Sequence, residues 1–195
     1  MNLIVPTTHV EKDSVNPEQR RGEEAYLSFQ LTDSFLAAFA MRDVHEVAVV
    51  PLGQITPMFN LPPDVLGLLT RRSRILWTVD LSQWLCGQPM AATTSSKQLS
   101  VAVVRVTPDQ GLKQPLEDRA LLGLVVQRVN GYIQISPGSV QPPDQSSSRD
   151  RPSNLLSTRL PCWRGSVLKE NRIHILDANA IATTLQKDAP HNAPY

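Results

Sequence analysis

Apolar residues in this chain fall in short runs rich in valine and isoleucine, and proline or glycine interrupts most of them. Sixteen prolines and nine glycines are spread along 195 residues. A helical bundle cannot absorb that many breakers, whereas short strands joined by turns can. Tyr26 to Leu31 and Phe35 to Met41 predict a hairpin turning at Thr32-Asp33-Ser34. Val44 to Val50 is a further β-branched run, stopped at Pro51-Leu52-Gly53. Leu66–Leu69 and Ile75–Val79 flank the charged turn Thr70-Arg71-Arg72-Ser73-Arg74. Leu99–Val106, Leu121–Val126, Val129–Ile135, Ser166–Leu168 and Ile173–Leu176 follow, with Asn130-Gly131 and Asn171 marking hairpin turns or bulges. Only Leu81–Leu85 and Ala178–Leu185 read as helix, the second because Ala178, Ile181, Ala182 and Leu185 recur at helical spacing. Many short strands with little helix predict an all-β barrel architecture.

Composition narrows the functional classes. Nineteen Lys and Arg against eighteen Asp and Glu leave a net charge of +1, which provides no general footprint for nucleic acid or anionic lipid. The uncharged stretch Val47–Pro63 carries Pro51, Pro57, Pro62 and Pro63, so it cannot cross a bilayer as one helix. Two cysteines, Cys86 and Cys162, form neither a disulfide framework nor a C-x-x-C pair, and fit a reducing cytoplasm. Residues 1–24 mix charges and prolines without a period and are expected to form a disordered tail. The same reading gives flexible loops at about 87–98 and 141–153, and a C-terminal tail at 187–195.

A pattern repeats within the ordered part. Gly67 leads through an arginine turn into Arg74–Asp80 and then a helical segment. Gly165 leads through Lys169-Glu170-Asn171 into Arg172–Asp177 and another helix. Asp80 and Asp177 stand where aspartate caps a helix N-terminus. Two similar lobes within one domain, residues 25–186, are therefore expected.

Residues that could carry chemistry are sparse. No phosphate loop, dinucleotide fingerprint, H-E-x-x-H or G-x-S-x-G occurs. His9, His45, His174 and His191 lack metal-ligand spacing, and the cysteines lack a nucleophile signature. His45 and Asp43 could pair as acid and base, but they lie two apart in a valine-rich run, and an exposed strand face is the better account. No catalytic residue, metal or cofactor is assigned. The Arg71-Arg72-Ser73-Arg74 turn is the sharpest charge feature. Arginines outnumber lysines fourteen to five, which suits planar two-point contacts to acidic groups on a protein partner. A small-barrel nucleic-acid regulator using Arg71, Arg72 and Arg74 is the alternative.

Tyr26-Leu-x-Phe-x-Leu31, Ala40-Met41, Val44-x-Glu46-Val47 and Ile55-Thr-Pro57 resemble the opening of CheW-like domains. Pro62-Pro-x-Val-x-Gly67, Arg72, Arg74-Ile-Leu and Val79-Asp-Leu81 resemble that family's central signature. Leu122-Gly-Leu-Val-Val126, Val129 and Trp163-x-Gly165 to Asp177 resemble its closing half. The resemblance implies two SH3-like five-stranded β-barrels in one domain, with a groove between them and no catalytic activity. It implies an adaptor joining methyl-accepting receptor tips, or photoreceptors, to the C-terminal regulatory domain of a CheA-type histidine kinase. Carried over by position, Val44, Glu46 and Val47 lie on a contact strand and Arg72 in a receptor-contacting turn. Gly67, Gly123 and Val129 lie at positions that shape barrels and groove. Three departures stand out: Thr70-Arg71-Arg72-Ser73 replaces the family's Asn-Leu-Arg-Gly, Trp77 replaces a proline, and Gln127 replaces an aspartate. They leave the apolar phase intact and bear on partner choice, as in a paralogue serving phototaxis or pilus motility. Leu76, Val79, Leu124, Val126 and Ile175 are expected in the core, with Arg71 and Arg72 exposed.

Overall fold

The computed structural model describes residues 22–90, 98–107, 120–142 and 157–188. Residues 1–21 and 189–195 of the expected tails, and 91–97 and 143–153 of the expected loops, lie outside the described residues. In chain order the strands are β1 (Glu24–Thr32), β2 (Phe35–Ala40), β3 (Val44–Pro51), β4 (Ile55–Thr56), β5 (Val65–Arg71) and β6 (Arg74–Asp80). After helix α1 (Leu81–Cys86) come β7 (Gln98–Val106), β8 (Ala120–Val126), β9 (Arg128–Ile135), β10 (Trp163–Leu168) and β11 (Arg172–Leu176). Helix α2 (Ala178–Asp188) follows. Two boundaries differ from expectation. β1 already begins at Glu24, and α2 continues through Lys187 and Asp188, where the Asp188 carboxylate pairs with Arg159.

The strands make two sheets, ordered β10-β11-β2-β1-β9 and β3-β7-β8-β6-β5-β4. The second has six members rather than the expected five, because two-residue β4 adds itself beside β5. Two lobes result. One is continuous, β3 to β8; the other inserts the N-terminal hairpin β1–β2 between β9 and β11. Their registers correspond pair by pair. Gly67 lies opposite Thr78 and Thr78 pairs in parallel with Gly123; Gly165 lies opposite Ile175 and Ile175 pairs in parallel with Ala38. Bulges fall at matching places too, after Val44 on β3 and after Val129 on β9, where Asn130 is the extra residue.

Side-chain alternation sorts the core into three layers. Leu27, Phe29, Phe35, Phe39, Ala102, Val104, Leu122, Leu124 and Val126 meet in a central layer shared by both lobes. The opposite faces of the same strands fill the barrels. Val101, Val103 and Val125 join Ala48, Val50, Leu69 and Leu76 in one lobe; Tyr26, Ala38 and Ala40 join Ile133, Val167, Ile173 and Ile175 in the other. Leu76, Val79, Leu124, Val126 and Ile175 are all buried, as expected from the sequence.

Local chemistry holds the lobes in shape. Gly67 and Gly165 have φ of +133° and +144°, and a Cβ on either would collide with the carbonyl of Thr56 or of Gln141. A Cβ on Gly123 would stand 2.9 Å from Leu76 Cδ1, so this glycine sets how closely β6 and β8 approach. Asp80 Oδ1 accepts from Gln83 N at 3.0 Å, and Asp177 Oδ1 accepts from Asn179 N and Ala180 N at 2.8 and 3.0 Å. Both aspartates are therefore the N-caps the repeat predicts.

His174 sits where the other lobe has Trp77, on the central side of β11. Its ring lies 4.9 Å from Phe35 and 5.9 Å from Trp163, between centroids. Burial, aided by nearby Arg172, lowers its pKa from 6.5 to about 4. The neutral ring favours the folded state fully above pH 6.5. Below that value the unfolded chain takes up a proton that the folded chain refuses. Stability should then fall by on the order of 3 kcal/mol as pH drops from about 6.5 to about 4. Urea titrations at several pH values should show this loss for the parent and a shallower one for His174→Leu; identical slopes would refute the assignment.

Candidate functional site

The hairpin between β5 and β6 turns on two residues, Arg72 and Ser73, at φ of 47° and 63°. Both are left-handed, the geometry of a primed two-residue turn that normally takes Asn-Gly. Arg72 is thus projected from a tight and rigid turn. Ser73 occupies the place of the family's glycine and bears the steric cost of its Cβ.

Glu46 on β3 fixes that turn. Arg71 Nε donates to Glu46 Oε1 at 2.8 Å, and Arg72 Nη2 lies 3.1 Å from Glu46 Oε2. β3 forms one margin of its sheet and β5 stands fifth in the order, so this contact requires the sheet to curl into a barrel. The side chains are 11% exposed for Glu46, 38% for Arg71 and 73% for Arg72. The expectation for Arg71 is corrected: it ends β5 and folds back onto Glu46, so it is half-buried rather than free at the turn. Arg72 is exposed as expected. The other lobe uses the same strands, with Lys169 Nζ after β10 donating to the Gln134 carbonyl of β9 at 2.7 Å.

Arg105 extends the corner. It is the one charged residue in the β7 run, and its Nη1 donates to the Val44 carbonyl at 2.6 Å. Its Nη2 lies 3.0 Å from His45 Nδ1, so His45, the extra residue of the bulge, accepts through a neutral ring. Burial first, then the Arg105 charge, lower the His45 pKa. The geometry thus gives His45 to Arg105 across the β3–β7 pair. Arg105 was not singled out from the sequence, although a lone arginine in an apolar strand was the available signal.

The structure gathers Glu46, Arg71 and Arg72 with His45 and Arg105, beside an outward-facing Val47. Arg74 is exposed opposite Arg71 in register. Val44 points into the central layer. Val129 lies apart, half-buried on β9 at the position matching Val44 in the other lobe. Gly67 and Gly123 are backbone positions within the barrel. Gln127 borders a cavity of about 180 Å³ where the lobes meet near Thr32, Asp33 and Met90; its Nε2 donates to Asp33 Oδ1 at 3.4 Å. Burial raises the thiol pKa of Cys86 to about 11 and also raises that of Cys162, so both are neutral core thiols. Among the described residues no group of three or more His, Cys, Asp or Glu is placed to hold a metal. No helix among them is long and apolar enough to cross a membrane.

An arginine corner thus lies beside an outward-facing apolar strand on one of two packed barrels. The model of the CheW-like domain matches residues 25–186, and the chain belongs to that family. The crystal structure of the scaffolding protein TtCheW from Thermoanaerobacter tengcongensis is similar, with a TM-score of 0.58 and 22% identity over 80% of this chain and 90% of that one. No curated protein sequence matches the chain.

The Ser73 geometry makes a measurable prediction. Ser73→Gly removes a Cβ from a left-handed position and should raise stability by about 1 kcal/mol despite the more flexible unfolded chain. A thermal melt checks it, and a lowered midpoint would show that the turn is not of the primed type.

Proposed function

We propose that this chain is a non-enzymatic cytoplasmic adaptor that couples methyl-accepting chemoreceptors, or photoreceptors, to a CheA-type histidine kinase. The single observation carrying this reading is that Glu46 of β3 grips Arg72, the arginine the family places in its receptor-contacting turn. The strand and turn that the family resemblance singles out separately thereby become one surface. An arginine held by its own turn and by a carboxylate loses little side-chain entropy on docking, and its planar head can take a second acidic partner. Val47 adds an apolar contact beside it.

The nucleic-acid alternative has weaker support. Arg71 and Arg72 share the Glu46 carboxylate, which offsets the charge a phosphate backbone would read.

Titration calorimetry with the kinase's regulatory domain and with a receptor signalling fragment tests the proposal. Arg72→Ala should leave folding within about 0.5 kcal/mol, because exposed ion pairs contribute little. It should weaken binding to at least one partner by about 1–2 kcal/mol, and Arg72→Lys should restore only part of that. Parental affinity of Arg72→Ala for both partners would remove Arg72 from the docking surface. No complex of the parent with either would remove the coupling role.

A further inference from the structure

The cavity where the lobes meet is bounded by the β1–β2 turn, the start of α1 and Gln127. At about 180 Å³ it is below the roughly 300 Å³ at which pockets for drug-sized ligands begin, and it has room for one small polar group. Several donors of its lining are spent inside the protein. Ser82 Oγ donates to the Leu31 carbonyl at 2.6 Å, and Met90 N to Asp80 Oδ2 at 2.8 Å. Gln127 gives its backbone N–H to the Gln30 carbonyl at 3.0 Å and its Nε2 to Asp33 Oδ1 at 3.4 Å. Acceptors are left over. Thr32 Oγ1 and Gln127 Oε1 are buried without a hydrogen-bond partner, a state that costs free energy until a donor reaches them. Asp33 is the one charged residue of the lining, and Leu31, Pro89 and Met90 supply apolar wall.

We propose that this cavity binds a guanidinium group, with Asp33 as its counter-ion and Gln127 Oε1 and Thr32 Oγ1 as further acceptors. A guanidinium carries N–H donors in a flat fork and no acceptor, the complement of a lining with acceptors to spare. Its two-point fit to a carboxylate favours it over an ammonium, which is a compact point charge. The apolar wall takes the hydrocarbon stem that carries it. Binding runs through the long Gln127 bond. The arriving N–H groups replace Gln127 Nε2 at Asp33 Oδ1, and the released amide turns its Oε1 to the ligand. The occupant then bridges the β1–β2 turn of one lobe and the end of β8 in the other. The guanidinium can belong to a free small molecule or to an arginine of a partner's chain, since the cavity reads the same chemistry in both. The inference goes beyond the adaptor reading and does not depend on it, because its test uses neither receptor nor kinase.

Amide correlation NMR spectra of the full chain, titrated with L-argininamide at constant ionic strength, test the proposal. Saturable shifts should appear at Thr32–Ser34, Met90 and Gln127, with a dissociation constant on the order of 1 mM. L-Lysinamide should bind at least about fivefold more weakly. Asp33→Asn should weaken argininamide binding at least about tenfold, because the counter-ion is gone. Glu170→Gln, in the exposed turn between β10 and β11, should leave it unchanged. Gln127→Glu adds a second carboxylate and should tighten binding about threefold or more, which keeps the test sound should Asp33→Asn lower the melting midpoint. The end-blocked peptide Gly-Arg-Gly separates the two sources. Binding as tight as argininamide's, at the same amides, supports the site and assigns it to an arginine of a protein chain. Weaker peptide binding supports it as a site for a free small molecule. No saturable shift with either ligand overturns the proposal and leaves the cavity to water. Shifts that both Asp33→Asn and Gln127→Glu leave unaltered overturn it as well.

Discussion

The central apolar layer is the constraint on which the rest of this molecule depends. β1, β2, β7 and β8 are buried on both faces, one in a barrel and one against the other lobe. That double burial explains why Phe35–Ala40, Val101–Val104 and Leu122–Val126 read as nearly continuous apolar runs rather than alternating ones. Neither lobe could leave its central face in water. The N-terminal hairpin completes one barrel from the far end of the chain, so that lobe cannot close until β9 to β11 are present. Folding of the two halves is thereby tied together through a shared interior.

Against that rigid interior, charged residues close the barrels from outside. Arg71 reaches Glu46 and Lys169 reaches the Gln134 carbonyl, each spanning the gap between a hairpin and a margin strand. In one lobe the closing group is a side-chain carboxylate with room for two guanidinium groups. That leaves Arg72 both anchored and exposed. The other lobe closes through a backbone carbonyl, reached by Lys169. The same architecture thus produces an anchored, exposed arginine on one lobe and a closure onto backbone on the other.

Much of the fold was legible because strand signals are local. β-branched runs, the turn at Asp33-Ser34, the bulge at Asn130 and the helix caps at Asp80 and Asp177 all follow from short-range chemistry. The repeat was legible for the same reason, since Gly67 and Gly165 satisfy identical backbone demands. Contacts between strands distant in sequence were not legible. The half-burial of Arg71 depends on how far a sheet curls, and the Arg105–His45 bond joins residues sixty apart. His174 is polar yet lies in the central layer between two aromatic rings, which no periodicity would predict. Glu46 and Arg72 were identified separately by resemblance; their ion pair needed three dimensions.

Hydrogen exchange by mass spectrometry, comparing the dilute free chain with its complex with a receptor fragment or kinase regulatory domain, tests the central claim most directly. The account predicts slowed exchange concentrated in β3 and in the hairpin from Arg71 to Arg74, with β9 changed far less. Slowed exchange confined to β9 to β11, with β3 and the Arg72 turn exchanging as in the free chain, would contradict it.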